Sequence, residues 1–230
     1  MTRIATLVLS LSIVALAVTA QEKPVAPPQV ETRDSQAAIT PAQALERLEA
    51  GNARFVSNTA KARDWSAKVA ATASGQFPFA AVLACMDSRA PLEIVFDQGL
   101  GDIFGVRVAG NVVNDDELGS LEYAAKVGVK LILVMGHTRC GAVQGAIDHV
   151  ELGKLTGLLA KIRPAIDAAG CRASNDEACM TKVAEQNVRH SIQEIRTGSP
   201  YLASRLDEKK LELRGAMYDV STGRVTFLAP

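Results

Sequence analysis

The sequence predicts an α/β fold: a central, mostly parallel β-sheet flanked by helices, with a hairpin at the C-terminal sheet edge and a helical arm at the N-terminus. An unbroken apolar run at residues 79–84, and two largely apolar runs at 103–108 and 130–135, are typical of strands covered on both faces. A helical pattern at 118–127 separates the second run from the third, which is the strand–helix–strand order of a parallel sheet. With 230 residues, 48% of them hydrophobic, the chain can build one sizeable core.

The first twenty residues differ from the rest of the chain. Arg3 precedes an apolar stretch without acidic residues from Ile4 to Val18, and small residues occupy the positions up to Ala20. This pattern predicts a secretory signal peptide over residues 1–20, with an uncleaved membrane anchor as the alternative. We therefore expect export, to a periplasm in view of the short signal, and no membrane attachment after cleavage.

The segment after the signal is polar and rich in proline. Residues 21–38 contain three prolines and no apolar period, which predicts a flexible segment or an arm across the surface. We expect the folded domain over residues 39–230. Its first helix begins at a capping box, because Thr40 suits the N-cap, Pro41 the first helical position and Gln43 the reciprocal contact.

More helices and a hairpin are predicted after the third strand. The longer helical patterns cover residues 142–150, 154–169 and 178–196. A short helix follows the break at Gly198-Ser199-Pro200, and the strands Leu211–Val220 and Val225–Leu228 surround a turn and form the edge hairpin.

The charge balance argues against a polyanionic partner. Lys and Arg number 25, Asp and Glu also number 25, and the formal net charge is zero. Nucleic-acid binding depends on a basic excess that this chain lacks. We therefore expect no nucleic-acid partner.

Two short motifs place metal-ligating side chains after two predicted strands. Cys85 follows the first apolar run in the segment CMDSR, and His137 and Cys140 follow the third run in HTRCG. A Cys2His set is one that catalytic zinc uses when a fourth position is kept for water or substrate. Because ligands bind beyond the carboxyl ends of parallel strands, we expect these three residues to bind Zn²⁺. We expect Gly141 to let the backbone bend away beside the metal and to contact substrate.

Asp87 and Arg89 follow the first ligand at two-residue intervals. A carboxylate so close to a metal can either bind it or accept a hydrogen bond from metal-bound hydroxide. A two-point contact from a guanidinium would hold the carboxylate off the metal and keep it ionised. We therefore predict that Asp87 and Arg89 are catalytic, that they keep the fourth zinc position open, and that Asp87 binds zinc in a closed form only.

The other two cysteines bracket a polar loop. Cys171 and Cys179 are predicted to form a short-range disulfide in an oxidising compartment, with two unpaired thiols as the alternative. A disulfide between Cys85 and Cys140 is a rival possibility that would abolish the metal site, and the cysteine count leaves it open.

The motifs together resemble those of the β-class carbonic anhydrases, and the resemblance covers residues 40–228. Besides the two ligand motifs, the matching segments are EAGNARF from Glu49, RVAGN from Arg107 and SLEYA from Ser120. The resemblance implies zinc binding by the two cysteines and the histidine named above. It also implies an active cleft between two subunits, hence a homodimer or a larger homo-oligomer.

The resemblance adds two expectations about the subtype. Gln76 lies nine residues before Cys85, where plant-like members have a Gln that hydrogen-bonds substrate, so it is expected to bind substrate. Some bacterial members have a Trp three residues before the first Cys as part of an inhibitory bicarbonate site. This chain has Val82 there, which favours the open-site type.

The activity that the resemblance implies is reversible hydration of CO2 to bicarbonate and a proton by zinc-bound hydroxide. Three alternatives stay open at this point. Relatives with the same zinc motif hydrolyse carbonyl sulfide or carbon disulfide. A non-catalytic, exported protein that binds zinc or bicarbonate is a second possibility, and an exported redox protein that joins Cys85 to Cys140 is a third.

Overall fold

The computed structural model describes residues 30–229, and a five-stranded sheet lies at its centre. The strands are β1 (Ala80–Ala84), β2 (Ile103–Arg107), β3 (Leu131–His137), β4 (Glu212–Tyr218) and β5 (Val225–Phe227). Their order in the sheet is β2-β1-β3-β4-β5. The first four are parallel, whereas β5 pairs antiparallel with β4. The predicted parallel sheet with a C-terminal edge hairpin is confirmed.

Helices cover both faces of the sheet. They are α1 (Arg33–Ala38), α2 (Pro41–Val56), α3 (Trp65–Thr72), α4 (Leu92–Val95), α5 (Asp115–Val127), α6 (Gly141–Ile147), α7 (Gly153–Ala160), α8 (Arg163–Ala169), α9 (Glu177–Gly198) and α10 (Pro200–Asp207), together with one 3₁₀ turn at Ala109–Asn111. Among the described residues, no helix combines the length and the apolar character needed to cross a membrane.

The apolar runs of β1 and β3 are explained by two cores, one on each face of the sheet, whereas the edge strand β2 is partly exposed and the expectation of burial on both faces is wrong for it. In β1, Ala81 and Leu83 pack with α5 to α9, whereas Ala80, Val82 and Ala84 pack with α2 and α4. All five residues of β1 are buried. Successive side chains of a strand point to opposite faces, so a strand buried on both faces needs an apolar residue at every position.

The start of α2 confirms the predicted capping box. Thr40 Oγ1 accepts from the backbone N–H of Gln43 at 3.2 Å, and Gln43 Oε1 accepts from the backbone N–H of Thr40 at 2.9 Å. Pro41 occupies the first turn. The local sequence therefore determines where this helix begins.

The N-terminal segment differs from its prediction where it is described. The predicted signal peptide and residues 21–29 lie outside the described residues. Residues 33–38, expected to be a flexible segment or an arm across the surface, form α1, which begins at a capping box between Thr32 and Ser35. Gln36 is buried, and its Nε2 donates to the carbonyl of Pro78 at 2.7 Å. Capping and docking together order a helix too short to be stable by itself.

The single helix predicted over residues 154–169 is wrong, because two helices cover this range. Helix α7 ends at Ala160 and α8 begins at Arg163, with Pro164 in its first turn. Proline has no N–H to donate to the carbonyl four residues earlier, here Ala160, and its ring clashes with that carbonyl. A helix can restart at this proline but cannot run through it.

Candidate metal centre

The three predicted ligands converge at the carboxyl end of the sheet. Strands β1 and β3 are parallel neighbours, so Cys85, directly after β1, lies beside the end of β3, where His137 is the last residue. Cys140 follows three residues later as the N-cap of α6. All three side chains are buried, and one ligand atom from each lies within 4.8 Å of the other two.

The donor atoms fit a zinc ion. The sulfurs of Cys85 and Cys140 are 4.0 Å apart, close to the roughly 3.8 Å expected for two thiolates on one tetrahedral zinc. Nδ1 of His137 donates to the carbonyl of Thr138 at 2.9 Å, so Nε2 carries the lone pair. That buried nitrogen has no hydrogen-bond partner among the described residues. A backbone carbonyl on one ring nitrogen is the usual arrangement of a metal-ligating histidine.

The two thiols interact strongly with each other. Cys85 and Cys140 are both free, so the alternative of a disulfide between them is wrong for this structure. The hydrogen bond from Cys140 is the largest cause that lowers the pKa of Cys85, to about 4, while the same contact raises the pKa of Cys140. By themselves the two sulfurs therefore share one proton. A divalent cation stabilises the charge of both and favours a second thiolate.

Asp87 lies beside the ligands, and Arg89 holds it. Arg89 Nε donates to Asp87 Oδ1 at 2.9 Å and Nη2 donates to Oδ2 at 2.7 Å, while the backbone N–H of Arg89 also donates to Oδ1 at 2.9 Å. These bonds are the main reason that the pKa of Asp87 falls to about 2. Asp87 Oδ2 is 3.8 Å from Nε2 of His137. The predicted pair is thus observed, with its carboxylate within reach of the cluster.

Comparison with known proteins identifies the family. A family profile described as carbonic anhydrase matches residues 80–225. Carbonic anhydrase 2 of Mycobacterium tuberculosis is 35% identical over 191 residues, which cover 80% of this chain and 91% of that protein. A β-carbonic anhydrase structure from Aspergillus fumigatus superposes with a TM-score of 0.65 at 27% identity, covering 71% of this chain and 85% of the other. The chain belongs to the β-class carbonic anhydrases.

Further relatives agree with this assignment. The carbonic anhydrase of Mycolicibacterium smegmatis is 34% identical over 195 residues, covering 80% of this chain and 92% of that protein. Tetrameric β-carbonic anhydrases from Sordaria macrospora match with a TM-score of 0.63 at 26% identity, over 72% of this chain and 91% of theirs. Carbonate dehydratase activity, the reversible hydration of CO2, follows from membership of this family.

Arg107 supports the centre of this β-carbonic anhydrase, and sequence reasoning gave it no role. It is the last residue of β2, next to β1. Its Nε donates to the carbonyl of Cys85 at 3.2 Å and its Nη2 to the carbonyl of Asp87 at 2.5 Å. The sequence did contain a signal for this role, because Arg107 is a cation at the carboxyl end of a predicted strand, and the predicted ligands meet at that edge of the sheet. Tyr218 adds a bond from its hydroxyl to the carbonyl of Arg89 at 3.2 Å.

Gln76 is not brought to the zinc cluster within this carbonic anhydrase chain. It is exposed and precedes the amino end of β1, whereas Cys85 follows the carboxyl end. The five residues of β1 span about 17 Å at 3.3 Å per residue. A Gln nine residues before the ligand therefore lies at the opposite edge of the sheet.

The steric reason predicted for Gly141 is wrong. The left-handed residue in the ligand loop is Arg139, with φ +54°, and Gly141 is not among the residues with positive φ. A Cβ on Gly141 would meet nothing within 4 Å. Gly141 lies next to Cys140 at the first position of α6, so the loop bends at Arg139 and leaves open space at the glycine.

The predicted disulfide is present and lies next to the ligand loop. Cys171 and Cys179 are joined, closing a loop at the start of α9. Glu177, inside this loop, accepts from Arg139 Nε at 3.0 Å and from Arg139 Nη2 at 3.1 Å. The disulfide-closed loop of this carbonic anhydrase thus contacts the segment between His137 and Cys140, two residues of the candidate metal cluster.

Proposed function

We propose that this β-carbonic anhydrase hydrates CO2 at a zinc ion held by Cys85, His137 and Cys140, and that Asp87 and Arg89 keep a fourth zinc position free for water. The observation that supports this most directly is the two-point contact between Arg89 and a carboxylate whose Oδ2 is 3.8 Å from His137 Nε2. Zinc bound to this set would act as a Lewis acid that lowers the pKa of water towards neutrality.

Asp87 orients water rather than taking up its proton. With a pKa of about 2, the carboxylate is ionised at neutral pH and acts as a hydrogen-bond acceptor only. A water hydrogen directed to Asp87 Oδ2 leaves an oxygen lone pair free for the carbon of CO2. Because Asp87 stays ionised, we expect the released proton to pass to buffer.

The neighbouring cations keep this carboxylate in place. Arg89 donates hydrogen bonds to both carboxylate oxygens of Asp87, and Arg107, on the adjacent strand, donates to the backbone carbonyl of Asp87. Charge-assisted contacts of this kind are roughly twice as strong as neutral hydrogen bonds. The carboxylate is therefore held from its side-chain end and from its backbone, which favours a fixed acceptor over a mobile ligand.

We also propose that the protein is exported, with residues 1–20 as its signal peptide, and that it acts in a periplasm. The Cys171–Cys179 disulfide supports this proposal, since such bonds persist in oxidising compartments. We further propose a homodimer or larger assembly, in keeping with the tetrameric relatives. In such an assembly, Gln76 can contact substrate only at the metal site of another subunit. Gly141 lies at the metal site of its own subunit and leaves open space there.

The decisive experiment measures metal content and CO2 hydration together. Protein lacking residues 1–20 is assayed by stopped flow with its native zinc, after chelation and after zinc is added back, and carbonyl sulfide and carbon disulfide are offered at the same concentrations. We expect one zinc per chain, and hydration that disappears and returns with it. A protein without stoichiometric metal contradicts the proposal. Faster turnover of a sulfur analogue than of CO2 would instead assign the site to hydrolysis.

A further inference from the structure

Two buried polar side chains of α9 hold the turn that contacts the Cys85 sulfur. Asn187 Nδ2 donates to the carbonyl of Gly110 at 2.6 Å, and Ser191 Oγ donates to the carbonyl of Asn111 at 2.8 Å. Asn187 is 1% exposed and Ser191 is 2% exposed. Their four-residue spacing puts them on one face of the helix, directed at consecutive carbonyls of the 3₁₀ turn.

The turn has a backbone conformation that needs support from outside. Gly110 has φ +69° and Asn111 has φ +43°, so two consecutive residues are left-handed. Asn is one of the few residues other than glycine that adopt the left-handed region, and a pair of such residues persists only where the surrounding structure holds it. A Cβ on Gly110 would lie 2.7 Å from Cδ1 of Ile162, so the turn is also confined by packing. The two α9 side chains each satisfy one of its carbonyls.

The same turn supplies a hydrogen bond to the metal cluster. The backbone N–H of Gly110 donates to Cys85 Sγ at 3.3 Å. A hydrogen bond to a metal-bound thiolate withdraws negative charge from the sulfur and reduces its donation to the metal. Whether this N–H points at the sulfur depends on the orientation of the turn, to which the bonds from Asn187 and Ser191 contribute.

The environment of Asn187 argues against a role in packing alone. Its Oδ1 is buried without a hydrogen-bond partner among the described residues, so only the donor half of the amide is used within the protein. An unpaired buried oxygen costs free energy that an apolar side chain would avoid. The donor bond to Gly110 is therefore the property that distinguishes this residue from an apolar one.

We infer that Asn187 and Ser191 are positioning residues of the metal centre: they aim the Gly110 N–H at Cys85 Sγ and so set how much charge this sulfur donates to the metal. The inference rests on the proposed binding of zinc by Cys85. Loss of either side chain leaves the sulfur richer in electrons. The metal then becomes a weaker Lewis acid.

The test uses Co²⁺-substituted and zinc-loaded forms of the mature protein. In Asn187→Ala and Ser191→Ala we expect the sulfur-to-cobalt charge-transfer band at longer wavelength than in the parent protein. The pH midpoint of CO2 hydration by the zinc forms should move upward, with about a 10-fold loss of activity at neutral pH. Ser191→Thr keeps the hydroxyl donor and is expected to restore both properties. Ile195→Ala, at a fully buried position further along α9, controls for general loosening of the helix.

The outcomes separate this inference from the proposed function. If the parent protein binds no stoichiometric Co²⁺ or zinc, the proposed function fails and the inference fails with it. If the parent shows the band but neither alanine variant shifts it, the inference alone is overturned. An equal shift in Ile195→Ala also overturns it, since loosening would then be the cause. Ser191→Ala removes a single oxygen, so we expect a folded variant even if Asn187→Ala does not fold.

Discussion

Replacement of Arg89 by alanine tests what keeps Asp87 away from the metal. The substitution removes the two side-chain bonds to the carboxylate and leaves only the bond from the backbone N–H of residue 89. Asp87 Oδ2 is already 3.8 Å from a nitrogen of the proposed ligand His137. A rotation of the freed carboxylate would then bring it onto the metal and exclude water.

The structure indicates the size of this effect. The fall in the pKa of Asp87 from 3.8 to about 2 corresponds to roughly 2.4 kcal/mol, at 1.36 kcal/mol per pKa unit. The Arg89 side chain is 50% exposed, so solvent screening reduces its contribution to about 1 to 2 kcal/mol. An equilibrium between free and metal-bound carboxylate shifts about 5- to 30-fold with this energy. We expect Arg89→Ala to lose at least that factor in kcat/KM.

The assay is stopped-flow CO2 hydration, combined with X-ray absorption at the zinc edge to detect a carboxylate ligand. Arg89→Lys keeps the charge but not the two-point contact, so we expect an intermediate loss. Arg196→Ala is the matched control, since Arg196 pairs with Asp207 at the surface. Near-normal turnover of Arg89→Ala, with no added oxygen ligand on zinc, would refute the reasoning.

Three further predictions concern the disulfide, a buried ion pair and the metal. Changing both Cys171 and Cys179 to Ser should lower the free energy of unfolding by about 2 to 3 kcal/mol, which is the chain-entropy value for so short a loop. Equal denaturation midpoints for the parent and the variant would contradict this. Asp97 is buried, which by itself would raise its pKa, but its bonds with arginines such as Arg63 outweigh burial and lower the pKa. The ionised Asp97 therefore contributes to the free energy of unfolding above its unfolded pKa of about 4, and this contribution is lost as the pH falls through the lower folded pKa. We expect the free energies of unfolding of Asp97→Asn and of the parent to differ by about 2 kcal/mol at neutral pH and to converge in acid, as measured by denaturation at a series of pH values. Cys140→Ser should lose stoichiometric zinc on dialysis against a chelator that the parent withstands, as measured by atomic absorption; full retention would remove Cys140 from the ligand set.

Local sequence was sufficient to predict those helices and strands whose start or burial is determined by neighbouring residues. The capping box at Thr40 predicts the first residue of α2, and the apolar run before Cys85 predicts β1. The same reasoning failed at residues 154–169. The helical spacing of apolar residues runs through this range, but Pro164 interrupts the backbone hydrogen bonds of the helix. It also failed at α1, which is stabilised by a contact between Gln36 and Pro78, 42 residues away.

The sequence by itself predicted the Cys-His-Cys cluster of this β-carbonic anhydrase. Cysteine and histidine directly after apolar strands must converge once those strands pair in parallel, so spacing alone identifies them. Only the tertiary structure decided which groups surround these ligands. The bond from Asn187 to Gly110 joins residues 77 positions apart, and nothing in either neighbourhood indicates the other. Such contacts depend on how a helix packs over a sheet, and packing is set by the whole core rather than by any one segment.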